Sequence, residues 1–337
     1  MAVRSVVSVF LVALAVASIL LSLLRVLLSR RNMLDHPNER SSHSIPTPRG
    51  AGVAQLFGIL AGMLVGGGLP AGAFFGILGF TALGAVDDWR PRSATARLAG
   101  QMVLAVVVVA LMVLRWPEGA APSLGLIAVS WLLFPVAVNA ANFMDGINGI
   151  SAAHGIVLGA VYAVLLSDVG AGSWVLLGVA LTGASVAFLP WNWRSTAAMF
   201  LGDSGSYLLG AAVALLTVAA WSHGINPAVA VAPFAVYLAD VFSTLIRRAV
   251  GRKSLTSAHR DHAYQRLVIL GWSHQGTSLF VGLLSATCGV LAIGAQREVI
   301  PLPVAFLLIA AVCVLYLWAP GALDRARGSA TGGGGAG

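Results

Sequence analysis

Charge is what this chain has least of. Only 9% of its 337 residues are Asp, Glu, Lys or Arg, against roughly a quarter in soluble domains. A protein of this size could not cover itself for water with so few charges, so a soluble enzyme or binding domain is excluded. Acidic residues are scarcer still, with 12 Asp and Glu against 20 Lys and Arg and a formal net charge of +8. Cysteine is nearly missing. Cys288 and Cys313 fall in separate apolar blocks without metal-ligand spacing, so neither a disulfide framework nor a cysteine metal site is indicated. Both read as packing residues.

What fills the chain instead is apolar. Hydrophobic residues make up 58% of it, gathered into blocks of about 18 or more, long enough to cross a bilayer. Glycine is abundant within these blocks, which suits close helix packing in lipid. The first block, Val6 to Leu28, is too long for the core of a signal peptide. It runs into Arg30-Arg31 with no small-residue cleavage site, and reads as a retained helix. Spans are expected near 5–28, 51–69, 71–86, 98–114, 122–139, 152–167, 173–190, 205–222, 227–246, 275–295 and 301–319. The expected fold is all-α, a polytopic integral membrane protein of about eleven transmembrane helices. Residues 1–319 form one transmembrane domain, and 320–337 a flexible Gly-rich tail.

The connections alternate between short, nearly uncharged turns and longer loops rich in Arg. With the N-terminus outside, every Lys and Arg except Arg4, Arg115 and Arg297 falls on the inner side. The positive-inside bias therefore places the N-terminus in the periplasm and the polar loops and tail in the cytoplasm. The same bias accounts for the net charge, and no nucleic-acid-binding module is visible.

Most of the few carboxylates lie at or near the cytoplasmic ends of spans. Ionisable groups at membrane depth are costly and usually functional. Asp87-Asp88 closes an apolar run; adjacent carboxylates repel unless a cation sits beside them, an arrangement suited to Mg²⁺. Asn139 to Gly149 carries Asn142, Asp145 and Asn148 between two spans, more hydrogen-bonding groups than a membrane turn needs. Gly202-Asp203-Ser204-Gly205-Ser206 opens a span. Asp203 or Ser204 there could cap the helix, and free N–H groups could meet a phosphate. His259-Arg260-Asp261-His262 can bind a pyrophosphate through charge-assisted hydrogen bonds, or lie on anionic headgroups as a plain basic loop. The early loop from Asp35 to Gly50 is held extended by prolines and offers Arg40, His43 and Arg49 to an anionic substrate. His154, His223 and His274 read as structural or exposed. Asp240 is expected to pair with Arg247 two turns on, or with another helix.

In this order, the motifs resemble those of the polyprenyl-phosphate N-acetylhexosamine-1-phosphate transferases, of the glycosyltransferase family 4 type. That superfamily includes the muramoyl-pentapeptide translocase of peptidoglycan synthesis and enzymes that initiate O-antigen synthesis. The resemblance runs from about Asp35 to Arg266 and rests on an ordered set of short motifs. It implies a multi-pass enzyme of the bacterial inner (cytoplasmic) membrane, its active site facing the cytoplasm. Undecaprenyl phosphate would attack a UDP-N-acetylhexosamine, releasing UMP and giving undecaprenyl-diphospho-sugar. The resemblance further implies Mg²⁺ with Asp203 as a ligand; Asp88 of the carboxylate pair is expected to share the metal, and Mn²⁺ to substitute for it. Asp87 matches an aspartate proposed to deprotonate the lipid phosphate; a covalent carboxylate intermediate is the other proposal. Asn142 and Asp145 match positions near the nucleotide, and Asn148 in the same turn is expected to join them in binding substrate. His259 and His262 match the family's histidine motif near the diphosphate, and Arg260 and Arg49 are expected to bind the anionic substrate beside them. A homodimer follows by family analogy.

Two departures narrow the expectation. Asn148 stands where many members carry a second aspartate. His259-Arg260-Asp261-His262 replaces the run of three histidines of the muramoyl-pentapeptide branch, pointing to the O-antigen or capsule branch and its simpler sugars. Two alternatives fit less well. A CDP-alcohol phosphotransferase would carry further spaced aspartates after Asp145-Gly146. A transporter of a lipid-linked or anionic solute would place its charges at the bilayer midplane, often within inverted repeats.

Overall fold

The computed structural model describes residues 3–35, 37, 45–117, 122–254 and 259–332. It is almost entirely helical. The apolar blocks become α1 (Val3–Arg30), α2 (Gly52–Val65), α3 (Ala71–Trp89), α4 (Ala94–Val113), α5 (Leu124–Met144), α6 (Ile150–Asp168), α7 (Gly172–Asn192) and α8 (Gly202–Ser222). These are followed by α9 (Pro227–Val231), α10 (Ala235–Val250), the short α11 (Ala263–Ile269), α12 (His274–Gln296) and α13 (Leu302–Gly332). Among the described residues, ten helical segments are long and apolar enough to cross a membrane, α9 and α10 together counting as one.

The eleven expected spans all appear as helix, with two local differences. The second is only 14 residues long, because Gly66-Gly67-Gly68 unwinds its end, two of the three at positive φ. The ninth is broken between α9 and α10 by a 3₁₀ turn at Ala232–Phe234. Pro233 there has no N–H to continue the α-helical ladder. Residues 320–332, expected as the start of a flexible tail, continue α13 as helix, and 333–337 lie outside the described residues.

Two small exceptions to the all-helical plan flank the early loop. Leu34–Asp35 (β1) and Thr47–Pro48 (β2) pair antiparallel, Leu34 opposite Pro48 and Asp35 opposite Thr47. The proline-rich sequence extends these residues, and the pairing meets backbone groups that have no helix to join. His36 and residues 38–44, Arg40 and His43 among them, lie outside the described residues.

The eighth helix is the axis of the bundle, enclosed along its whole apolar length. Its neighbours α3 and α5 pack against it closely because small residues face it. A Cβ at Gly84 of α3 would overlap the carbonyl oxygen of Asp203, so the end of α3 lies directly on the backbone of α8. The outermost helices, α1 and α13, are the least enclosed, as lipid-facing helices should be. Cys288 on α12 and Cys313 on α13 are free thiols. His154 is fully buried and stacks on Tyr237, ring centroids 3.5 Å apart, which bears out its reading as a packing residue.

Candidate active site

Helix ends carry the polar motifs, and the packing of α3 and α5 on α8 brings four of them together. Asp88, at the end of α3, turns its carboxylate onto the first turn of α8. Its oxygens accept the N–H groups of Asp203 (2.8 Å) and Ser204 (2.9 Å). A helix start leaves such donors unmet, and a carboxylate there is favoured by the helix dipole. The cap of α8 therefore comes from another helix. Neither Asp203 nor Ser204 caps it, and these two N–H groups are not free for a phosphate. Gly202 makes the arrangement fit: it holds φ at +78° and leaves space where a Cβ would strike Asp88 Oδ2.

Arg49 is the hub. Gly50 and Ala51 donate their N–H groups to Phe200 O (3.2 and 3.1 Å), and Phe200 N–H donates to Pro48 O (2.8 Å). The early loop is thus zipped to the entry of α8. From there Arg49 Nε reaches Asp88 Oδ1 at 2.8 Å and Nη2 reaches Asp203 Oδ1 at 2.6 Å. Burial alone would favour loss of the Arg49 proton, but Asp203 and Asp88 outweigh it and raise its pKa above the ordinary arginine value. Asn142, on the last turn of α5, donates to the same Asp203 oxygen (2.9 Å) and to Ser206 Oγ (3.0 Å).

Asp87 faces a second cation. Its oxygens accept the N–H of Arg92 (2.7 Å) and Arg97 Nη1 (3.1 Å). The Asp87 and Asp203 carboxyls also come within hydrogen-bond reach of each other. Two ionised carboxylates so close repel unless a proton or a cation lies between them. Among the described residues no three His, Cys, Asp or Glu side chains form a metal-holding group. Mg²⁺, however, is commonly held by one or two carboxylates, with substrate phosphates completing its shell. Asp87 and Asp203 fit that pattern. Asp88, expected as a metal ligand, already accepts three donors, from Arg49, Asp203 and Ser204.

Asp145 follows α5 as its C-cap residue and accepts from Ser151 Oγ at 2.6 Å. Burial pushes its pKa up to about 7, opposed by the Ser151 hydrogen bond and by Arg49. Near neutral pH it can therefore meet a ligand as acceptor or as donor. Its motif is roofed by α11: Tyr264 Oη donates to Phe143 O (2.9 Å), and Gly146 leaves the space this hydroxyl fills. The histidine loop arrives on the same helix. His262 immediately precedes α11, and the His259 ring lies 5.1 Å from it, centroid to centroid. Burial, His262 and Arg248 together lower the pKa of His259. Arg248 is ion-paired with Asp261. Arg260 lies near His274 and Tyr264.

Comparison of the sequence with known proteins gives the family. The model of a family described as "Glycosyl transferase family 4" matches residues 70–221, the stretch that carries Asp87, Asp88, Asn142, Asp145 and Asp203. A decaprenyl-phosphate N-acetylglucosaminephosphotransferase of Mycobacterium tuberculosis is 30% identical over 82% of this chain and 78% of its own length. The chain belongs to glycosyl transferase family 4. The similarity extends to a probable undecaprenyl-phosphate N-acetylglucosaminyl 1-phosphate transferase of Bacillus subtilis, 25% identical over 84% of this chain and 83% of that one. A phospho-N-acetylmuramoyl-pentapeptide-transferase of Moorella thermoacetica is 26% identical over 71% and 81%. The protein is thus a membrane-embedded glycosyl-1-phosphate transferase.

Within the transferase, one expected substrate residue also holds the fold together. Asn148 is buried, and its side-chain amide donates to the carbonyls of Arg194 (2.9 Å) and Ser195 (3.2 Å). Its N–H donates to His274 Nδ1 (3.3 Å), and its own carbonyl accepts from Ser278 Oγ (2.9 Å). It ties the 145–149 turn to the loop after α7 and to α12. An aspartate could not donate these bonds. Asn148→Asp is expected to lower stability by about 1–3 kcal/mol, the cost of leaving buried acceptors unmet, with a matching drop in Tm of the detergent-purified protein.

The sequence reading missed Arg97, Asn192 and Tyr264, and named Ser206 only as part of its motif. Arg97 could have been flagged as the one charge inside an otherwise apolar helix. Asn192, which accepts from Gly149 N–H and donates to Met199 O, sits at a span end like Asn142 but in no motif.

Proposed function

We propose that this transferase moves N-acetylhexosamine-1-phosphate from a UDP-sugar to undecaprenyl phosphate, releasing UMP. The reading rests on one observation above all. Asp87 and Asp203 meet at the end of an apolar bundle with Arg49 and Arg97 on either side. Two anions must come together there, so most of the barrier is electrostatic. Bound Mg²⁺, held by Asp203 and Asp87, would polarise the phosphoryl oxygens and offset the developing charge. Arg49 keeps Asp203 oriented, and its guanidinium adds positive charge where a diphosphate would lie. Asn142 fixes the other side of Asp203. Asp87, if it carries no metal at that moment, is placed to take the lipid phosphate's remaining proton. A phosphate monoester's second pKa is about 6, so positioning matters more than base strength. Asp145 faces the nucleotide, and His259, Arg260 and His262 the diphosphate.

The relatives' names support an N-acetylglucosamine-type donor and a polyprenyl phosphate acceptor. The pathway we propose is the first membrane step of a cell-envelope polysaccharide of the O-antigen or capsule kind, at the cytoplasmic face of the inner membrane, with a homodimer as the working unit. The test is UMP release by purified protein with undecaprenyl phosphate, Mg²⁺ and a panel of UDP-sugars. Release with one preferred N-acetylhexosamine, lost in EDTA and restored by Mg²⁺ or Mn²⁺, is the expected result. Folded protein that releases no UMP with any sugar would overturn the assignment.

A further inference from the structure

Asp240 belongs to no motif of the site, yet it is fully buried in α10. A carboxylate is tolerated there only if its lone pairs are met. Of the two expected pairings, Arg247 turns elsewhere, to Thr244 Oγ1 (2.8 Å) and the carbonyl of Asp261 (3.0 Å), and partners come from other helices. Asp240 Oδ1 instead faces His262 Nδ1 at 3.1 Å and accepts the N–H of Ala263 at 3.0 Å and Thr244 Oγ1 at 3.2 Å. Its Oδ2 accepts Tyr316 Oη from α13 at 2.5 Å. Four donors from α10, α11, α13 and the residue ahead of α11 thus converge on one carboxylate.

The consequence falls on His262. An ionised carboxylate only accepts, so the proton of this hydrogen bond sits on His262 Nδ1, and Nε2 is the nitrogen left for a ligand. The ring is held from both sides, by His259 at 5.1 Å and Tyr264 at 5.8 Å between centroids, with Phe143 at 6.2 Å. Phe143 adjoins Asn142, which bonds Asp203. A continuous set of contacts therefore runs from the last helix, through Asp240 and His262, to the carboxylate cluster.

We propose that Asp240, backed by Tyr316, is a positioning residue for the transfer reaction, holding Nδ1–H and the ring plane of His262 so that Nε2, carrying the second proton of the imidazolium, donates to the diphosphate of the donor. This rests on the transferase reading of the site. Neither Asp240 nor Tyr316 touches substrate. Tyr316 makes α13 part of the catalytic apparatus, although that helix is mostly lipid-facing.

The experiment is a double-mutant cycle on UMP release by the full chain in nanodiscs, using Asp240→Asn, Tyr316→Phe, His262→Ala and the paired variants. Asp240→Asn is expected to lower kcat by roughly 10–100-fold, the range seen when a partner that orients a functional histidine is removed. Tyr316→Phe, which leaves the carboxylate and the fold in place, should give a smaller loss in the same direction. In the His262→Ala background neither should lower kcat further, because groups acting as one unit are not additive. Losses of equal size with and without His262 would overturn the proposal, and the Tyr316→Phe cycle decides the matter if Asp240→Asn does not fold. Should the wild type release no UMP, the transferase reading falls by itself. Histidine-selective ¹⁵N spectra of the wild type then test the positioning: a proton on Nδ1 of His262, joined by one on Nε2 when inorganic pyrophosphate is added, supports it, and an unprotonated Nδ1 overturns it.

Discussion

Asp203→Asn is expected to abolish UMP release while leaving the transferase folded. The substitution keeps an acceptor oxygen for Arg49 Nη2 and Asn142 Nδ2, the two side-chain donors that Oδ1 now meets. It also leaves untouched the backbone N–H that Asp203 gives to Asp88. What it removes is a negative charge within reach of Asp87. Asp87 then lacks its partner for a divalent cation, and Arg49 loses one of its two counter-charges. A metal's stabilisation of a phosphoryl transition state is worth several kcal/mol, so kcat should fall by at least about 10³-fold. The check is UMP release across a Mg²⁺ titration, beside a thermal melt. Activity within tenfold of wild type at saturating Mg²⁺ would remove Asp203 from the metal site. An inactive protein with an unchanged melt is the expected pair of results.

The site residues were legible because polar side chains stand out in a chain that is 58% hydrophobic. Asp87, Asp88, Asn142, Asp145 and Asp203 each interrupt or end an apolar block, and the structure places them at one end of the bundle. Their division of labour was not legible, because it depends on which helix ends meet. Nothing in Asp87-Asp88 says which carboxylate caps α8; a helix turns successive residues by about 100°, so Asp88 meets the N–H groups of Asp203 and Ser204 while Asp87 meets Arg97 and the Asp203 carboxyl. Asp240 and Arg247 are spaced to share a face of α10, yet Asp240 answers to His262 and Tyr316, which come from 22 and 76 residues away. Asn148 looked like a ligand group because it lies in the same polar turn as Asp145. Only the approach of the loop at Arg194 and Ser195 shows its amide to be structural.

That division of labour predicts a second large effect with a different signature. Asp88→Asn removes the same charge as Asp203→Asn but should both inactivate and destabilise the enzyme. Asp88 meets the N–H groups of Asp203 and Ser204 with separate oxygens. An asparagine offers one acceptor and points an amide N–H₂ at the other donor. One backbone N–H at the start of the enclosed α8 is then unmet, and Arg49 Nε loses the charge it faces at 2.8 Å. Breaking a buried, charge-assisted cap of this kind costs about 1–3 kcal/mol, or several degrees in Tm. The first turn of α8 carries Asp203, so its displacement misplaces the metal site, and a shift of even 1 Å can cost about 100-fold in rate. Thermal melts of the two variants side by side separate the roles. A lower Tm for Asp88→Asn than for Asp203→Asn, with both inactive, fits Asp88 as the cap that aims Asp203. Equal melts, with Asp88→Asn activity restored by high Mg²⁺, would instead make Asp88 a direct metal ligand and displace Asp87 from that role.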